Sequence, residues 1–265
     1  MPFVDIGGVS MHYRHRHGDG PVLVFINSLG TDFRIWDDMI AALDPSAGLL
    51  VYDKRGHGLS GLGAGVRSID DHANDLAALL DRLDIDGTVL CGLSIGGLIA
   101  QRLLMIRPQP VRAMVLCDTA ARIGTTASWD KRIETVTREG IEAIADPIME
   151  TWFTPAFHRN RPADLAGYRN MLVRQSVAGY LGSCAALREA DYREAAGSIS
   201  VPTLWVVGDQ DGSTPPELVR QTADLVPGAR FEVIAGAGHI PCIEKAAALA
   251  ALISGFVAAL PGRKP

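Results

Sequence analysis

Short apolar runs that end in turn residues recur along the first half of the chain, and longer amphipathic segments separate the later ones. Four such runs cover residues 22–28, 49–53, 88–92 and 111–118. The segment 70–85 between two of them repeats leucine at helical spacing. Strands that alternate with helices in this way predict a parallel sheet covered by helices on both faces.

The alternation stops after the fourth run and resumes some 80 residues later. Residues 120–196 contain helical candidates broken by prolines and no strand-like run. Strand-like runs return at 203–211 and 230–239, and one apolar helix follows to the C-terminus. We therefore expect an α/β core formed by residues 1–119 and 197–265, with 120–196 inserted as a helical cap over the carboxyl ends of the strands.

The amino-terminal segment predicts an antiparallel hairpin at the edge of the sheet, turning near the glycine pair 7–8. Strand alternation places His12 on the opposite face from His15 and His17, and no carboxylate or cysteine completes a set of ligands. The sequence therefore predicts no metal site.

Composition and charge narrow the possible partners. The chain of 265 residues is 48% hydrophobic, and its formal net charge is -5, without a long basic cluster that would bind nucleic acid. No stretch approaches the length of about 18 apolar residues that a membrane span needs, and the amino terminus has no apolar signal region. We expect a cytoplasmic protein that acts on a small molecule and binds neither nucleic acid nor membrane; the sequence leaves its oligomeric state open.

The four cysteines are widely spaced and form no CxxC pair. Cys91 and Cys117 lie in strand-like runs, so we interpret them as buried free thiols.

A serine lies where the strand-like run at 88–92 meets a helix-like run. Residues 92–96 read Gly-Leu-Ser-Ile-Gly, the GxSxG pattern in which a sharp strand-to-helix turn exposes a nucleophilic serine. Flanking glycines allow the close packing that such a turn requires. The pattern alone is weak, but its position between strand and helix predicts that Ser94 is a nucleophile.

Two backbone N–H groups are candidates for stabilising the oxyanion that attack by Ser94 would create. Ile95 begins the helix, whose amino-terminal end favours negative charge. Leu29, in the loop "FINSLGTD" after an earlier strand, is the candidate for the second donor.

A serine hydroxyl needs a base to accept its proton and a third group to orient that base. His239 follows the last strand-like run in "GAGHIPCIE" and is the predicted base. His158 lies inside the helical insertion, where we expect it to face solvent. His57 precedes the serine in "DKRGHGLS", where we expect a structural role.

The orienting acid has three candidates. Asp211 lies far enough into the loop "VVGDQDGSTP" to turn toward His239 and is favoured. Asp209 directly ends the apolar run and is suited to capping a turn. Asp118, after the strand that precedes the insertion, stays an alternative.

Six segments together resemble one family. They are "INSLGTDFRIWD", "YDKRGHGLS", "CGLSIGG", "GTTASWDKRIETV", "TWFTPAFHRN" and "VVGDQDGSTPP". They resemble the 3-oxoadipate enol-lactonases, hydrolases of the β-ketoadipate route by which bacteria degrade protocatechuate and catechol. The serine turn and the acid and histidine loops are shared across α/β-hydrolases, whereas the segments within 124–160 carry the narrower resemblance. It implies the α/β-hydrolase fold with a mostly parallel eight-stranded sheet, and it places the catalytic triad on Ser94, Asp211 and His239.

The resemblance also implies a mechanism. Ser94, deprotonated by His239, attacks the lactone carbonyl, and the ring opens to an acyl-enzyme with an enol as leaving group. Water activated by His239 then releases 3-oxoadipate, and no metal or organic cofactor takes part.

The substrate's free carboxylate requires a cation or several donors in the pocket. Arg34, Lys131 and Arg132 are open candidates for that contact, and Trp129 is the preferred pocket-lining aromatic residue. The alternatives on the same fold are another carboxylesterase, lactonase or cofactor-free perhydrolase, and outside catalysis a ligand receptor. Dehalogenases and epoxide hydrolases are disfavoured because they need a carboxylate where this chain has Ser94.

Overall fold

One sheet of eight strands organises residues 2–261, the part of the chain that this computed structural model describes. The strands are β1 (Phe3–Ile6), β2 (Val9–Arg16), β3 (Asp19–Ile26), β4 (Ala47–Tyr52), β5 (Thr88–Leu93), β6 (Val111–Cys117), β7 (Thr203–Gly208) and β8 (Arg230–Ile234). Their spatial order is β1-β2-β4-β3-β5-β6-β7-β8. β2 pairs antiparallel with both β1 and β4, and the pairs from β4 to β8 are parallel. The mostly parallel eight-stranded sheet expected from the sequence is confirmed.

The helices connect the strands and cover the sheet. They are α1 (Asp37–Ala41), α2 (Ile69–Arg82), α3 (Ile95–Ile106), α4 (Thr126–Glu139), α5 (Glu142–Trp152), α6 (Pro155–Asn160), α7 (Pro162–Val173), α8 (Val177–Glu189), α9 (Pro216–Ala223), α10 (Pro241–Glu244) and α11 (Ala246–Ala258). Short 3-10 helices cover Phe33–Trp36 and Ala196–Ser198. Among residues 2–261, no helix combines the length and the apolar composition needed to cross a membrane.

The carboxyl-terminal segment differs from the sequence expectation. One apolar helix was expected there, but Lys245 adopts φ -137° and ψ 45°, outside the helical region, and separates α10 from α11. The expected single helix is therefore two helices, the short α10 and the longer α11.

The helices α4 to α8 lie between β6 and β7, within the segment where the sequence predicts the cap. The boundaries of the core and cap stay an interpretation of the sequence. We use "cap" below for residues 120–196.

Strands at the centre of the sheet are buried on both faces. Each residue of β5 and of β7 is buried, as is typical of a parallel sheet between two layers of helices. All four cysteines are free and buried. Parallel strands end at the same edge of a sheet, so the loops after β3, β5, β6, β7 and β8 meet there, and they carry the site residues predicted from the sequence.

Candidate active site

Ser94 occupies a strained turn between β5 and α3. Its φ of 57° and ψ of -120° lie in a region that non-glycine residues rarely adopt, at a cost of about 1–3 kcal/mol. Surrounding hydrogen bonds hold the turn: the Ser94 N–H donates to the Cys117 carbonyl at 3.0 Å, and the Thr119 hydroxyl donates to the Ser94 carbonyl at 2.7 Å. A Cβ on Gly96 would overlap the Ile26 carbonyl, so only glycine lets α3 approach β3 this closely.

His239 and Asp211 form a buried pair beside this turn. The His239 Nδ1 lies 3.0 Å and 2.9 Å from the two carboxyl oxygens of Asp211. Burial favours a higher pKa for Asp211, but the charge and hydrogen bond of His239 and the hydrogen bonds from Thr214 outweigh it, so this pKa lies below its usual value. An ionised Asp211 accepts the Nδ1–H of His239. This leaves the other ring nitrogen, Nε2, as the group that can accept a proton.

The other two candidate acids accept hydrogen bonds from backbone N–H groups, and the Asp118 carboxyl also contacts that of Asp211. Asp209 accepts backbone N–H groups of residues 236–237 at 2.8 Å and 3.3 Å, so it closes the turn after β8. Asp118 is fully buried and accepts the Gly208 N–H at 2.9 Å. Burial, together with the charge of Asp211, raises the pKa of Asp118 well above its usual value and so favours its protonated form. The geometry thus pairs Asp211 with the histidine.

A cavity of about 220 Å³ lies between the strand ends and the cap helices α4, α5 and α8. Ser94, His239 and Leu29 line it from the core, and Trp129 and Arg132 line it from α4. The predicted nucleophile and the predicted base therefore line one cavity of a size suited to a small molecule.

Both predicted oxyanion donors lie beside Ser94. Ile95 is the first residue of α3, and the N–H groups of a first helical turn have no acceptor within the helix. The Leu29 N–H donates to no residue in the part of the chain that the structure describes. Neither N–H is therefore used by another acceptor among residues 2–261, which leaves both free to donate to a bound group.

The three cationic residues that the sequence offered as candidates have different surroundings in the structure. Arg34 pairs with Asp32 through two hydrogen bonds of 2.9 Å and 2.6 Å, and Lys131 is exposed. Arg132 lines the cavity, with its guanidinium carbon 5.0 Å from the ring centroid of Trp129. None of the ion pairs formed among residues 2–261 includes Arg132. Of the three candidates, Arg132 is the one that lines the cavity.

Trp129 is held in the wall of this cavity. Its indole N–H donates to the Ile123 carbonyl at 2.7 Å, and 7% of the residue is exposed. Its ring therefore keeps a fixed orientation toward the space that it lines.

The cap also contacts the loop that carries the histidine. The His239 N–H donates to the Trp152 carbonyl at 2.9 Å. The Glu244 carboxylate accepts the Gly238 N–H at 2.7 Å and, through its other oxygen, the Thr154 hydroxyl at 2.7 Å. Sequence patterns do not indicate this link, because its partners lie up to 90 residues apart.

The fold agrees with a comparison to known families. Residues 21–246 match the family profile described as alpha/beta hydrolase fold. The chain belongs to the α/β-hydrolase family.

Within that family, the chain is similar to enol-lactonases, which are a class of ester hydrolases. It is 35% identical over 227 residues to 3-oxoadipate enol-lactonase 2 of Acinetobacter baylyi, covering 86% of this chain and 85% of that protein. The identity to 3-oxoadipate enol-lactonase 1 of the same organism is 32% over 90% of this chain and 89% of that one. The crystal structure of the enol-lactonase from Burkholderia xenovorans LB400 superposes with a TM-score of 0.93 at 35% identity, covering 97% of this chain and 100% of that one.

Proposed function

We propose that this protein hydrolyses 3-oxoadipate enol-lactone to 3-oxoadipate, as a step in the β-ketoadipate route of protocatechuate and catechol degradation. The observation that carries the proposal is the similarity to enol-lactonases at 32–35% identity over nearly the full length of both chains. The cavity adds support from chemistry, because it combines Ser94 and His239 with Arg132, which forms no ion pair among the described residues and suits a carboxylate.

The proposed reaction proceeds through an acyl-enzyme. His239 Nε2 takes the proton of Ser94 as the hydroxyl oxygen attacks the lactone carbonyl, and the Leu29 and Ile95 N–H groups bind the oxyanion. The carbonyl re-forms as the ring carbon–oxygen bond breaks. The enolate oxygen that leaves takes the proton from His239, and the enol tautomerises to the ketone.

The second half of the reaction uses the same groups. His239 removes a proton from a water molecule, which attacks the acyl carbon, and the oxyanion forms again in the same place. Collapse releases Ser94, which regains its proton from His239, and 3-oxoadipate leaves. Asp211 stays ionised throughout and stabilises the imidazolium that each half forms.

In this proposal Arg132 binds the free carboxylate of the substrate. Trp129 stacks against its guanidinium and thereby fixes its plane. A hydrogen bond to a charged group contributes about 1.5–3 kcal/mol, which corresponds to roughly 10- to 150-fold in affinity.

The test is the hydrolysis of 3-oxoadipate enol-lactone by the purified protein, with 4-nitrophenyl acetate as a neutral ester beside it. We expect fast opening of the lactone, slow turnover of the ester, and loss of both activities in Ser94→Ala. Rapid ester cleavage with intact lactone would instead indicate one of the esterases that the family also includes. Binding without turnover in a folded protein would favour a receptor.

A matched pair of variants tests the carboxylate contact. Arg132→Gln should raise KM for the lactone by about tenfold or more and leave 4-nitrophenyl acetate turnover unchanged, because the acetate ester has no carboxylate. Lys131→Gln removes a neighbouring charge that does not line the cavity, and it serves as the control. Equal effects of the two substitutions would refute a specific role for Arg132.

A further inference from the structure

Lys54, in the segment after β4, is buried, and no carboxylate among residues 2–261 bonds to its ammonium group. Only 1% of the residue is exposed, and its Nζ donates to the Ser28 carbonyl at 2.6 Å and to the Asn27 carbonyl at 3.4 Å. Lysines are rarely buried to this degree. The shorter of its two hydrogen bonds is the one to the Ser28 carbonyl.

The Ser28 carbonyl belongs to the same peptide group as the Leu29 N–H. The peptide bonds of the described residues are all trans, so this C=O and this N–H lie in one plane and point in opposite directions. The Thr31 hydroxyl also donates to the Ser28 carbonyl, at 2.9 Å. Two side-chain donors therefore hold the carbonyl oxygen on one side of the loop. The N–H is directed to the other side, where Leu29 and Ser94 line the same cavity.

A positive charge at the carbonyl oxygen also changes the N–H electronically. Withdrawing electron density from a carbonyl makes the N–H of the same amide a stronger donor, as in a chain of hydrogen bonds. If the peptide turned over, it would present a carbonyl oxygen to the oxyanion instead of an N–H.

We propose that Lys54 is a positioning residue for the oxyanion site, holding and polarising the Ser28–Leu29 peptide so that the Leu29 N–H faces the reacting carbonyl. This inference rests on the proposed hydrolysis through Ser94. It adds a function for a side chain that touches neither the substrate nor the triad.

The surrounding charges make this support dependent on pH. Burial lowers the pKa of Lys54 to about 7, although the carboxylates of Asp53 and Asp32 oppose the shift. His57 and His72 face the same region, and burial together with the charge of Lys54 lowers the pKa of each. Both imidazoles are therefore neutral near pH 7. As pH rises through 7, Lys54 loses its charge and polarises the peptide less.

The experiment compares Lys54→Met with the wild type on the enol-lactone and on 4-nitrophenyl acetate from pH 6 to 9. Loss of one oxyanion donor reduces kcat by about 10²–10³, and we expect an indirect effect of about 10- to 100-fold on kcat with KM nearly unchanged. The wild type should lose kcat as pH rises above 7, and Lys54→Met should lack this decrease.

Two further variants separate positioning from stability. Thr31→Val removes the other side-chain donor to the Ser28 carbonyl, so kcat should fall in the same direction by a smaller factor. Ile253→Ala opens a cavity in the distant helix α11, where the side chain is fully buried, and should lower Tm with kcat retained at 25 °C.

Each outcome has a defined meaning. Wild-type kcat and pH dependence in Lys54→Met on both substrates, or an effect confined to KM, overturns the inference. A wild-type protein that cleaves only the aryl ester refutes the enol-lactone proposal. The role of Lys54 is then tested by the kcat of Lys54→Met for the ester. A wild-type protein that cleaves neither substrate refutes both.

Discussion

Replacing Asp211 by asparagine should stop His239 from acting as a base without changing the shape of the site. The backbone N–H groups of Ser213 and Thr214 both donate to Oδ1 of Asp211, at 2.7 Å and 3.0 Å. They would hold the amide oxygen of asparagine in that position and place its NH2 where Oδ2 now lies, 2.9 Å from His239 Nδ1. A donor facing Nδ1 favours the tautomer that carries its proton on Nε2, and that tautomer cannot accept the proton of Ser94.

The expected loss follows from this change of tautomer. The same substitution in a Ser-His-Asp triad of unchanged geometry lowers kcat by about 10⁴, or about 5 kcal/mol in the activation free energy. We therefore expect Asp211→Asn to lower kcat for the enol-lactone by about 10³- to 10⁴-fold, measured as the initial rate of lactone loss at high enzyme concentration. Circular dichroism would check that the variant is folded.

Asp118→Asn is the matched control. The raised pKa of Asp118 favours its uncharged form, which asparagine resembles, and its φ of 46° is one that asparagine tolerates. Its replacement should change kcat by less than about fivefold. A loss below tenfold in Asp211→Asn, with a large loss in Asp118→Asn, would refute the argument and move the orienting role to Asp118.

Three other substitutions test separate parts of the structure. Burial lowers the pKa of His72 to about 3, so below pH 6.5 the unfolded chain binds a proton that the folded protein excludes. Urea unfolding should therefore give a lower free energy of unfolding at pH 5 than at pH 7. His72→Gln should reduce this dependence by up to about 1.4 kcal/mol per pH unit. An unchanged slope would contradict the assignment. Gly96→Ala would press a Cβ against the Ile26 carbonyl, so it should lower the free energy of unfolding by about 1–3 kcal/mol and also lower kcat. An unchanged Tm in thermal denaturation would argue against this close approach. Glu244→Ala should lower kcat by about threefold to tenfold and stability by about 1–3 kcal/mol, because it leaves the donors of two loops unpaired; wild-type kinetics would show that the link is not needed.

The features that the sequence predicted well are those encoded locally. The strand-to-helix turn at Ser94 is specified by the five residues 92–96. His239 could be placed from its order in the chain, because it lies in the loop after the last strand. The parallel sheet follows from short apolar runs that alternate with helical segments, and its number of eight strands was implied by the family resemblance. Asp211 was favoured over Asp209 by its position in one loop, and the structure places Asp211 against the histidine.

Other features depend on contacts between distant segments, which sequence patterns do not encode. Arg34, Lys131 and Arg132 were equivalent candidates until the packing of α4 brought one of them to the cavity. The burial of Lys54 depends on the loop after β3, and no local pattern distinguishes it from a surface lysine. The break at Lys245 was missed because apolar residues continue on both sides of it.

The hydrogen bond from the His239 N–H to the Trp152 carbonyl has a consequence for how such enzymes diversify. The segment that covers the substrate also seats the base, so a cap transplanted from another hydrolase must bring its own acceptor for that N–H and its own partners for Glu244. Substitutions in α4 and α8 can alter selectivity while the imidazole keeps its place. Changes at the end of α5 should alter selectivity and turnover together, because that helix end carries the carbonyl that holds the His239 backbone.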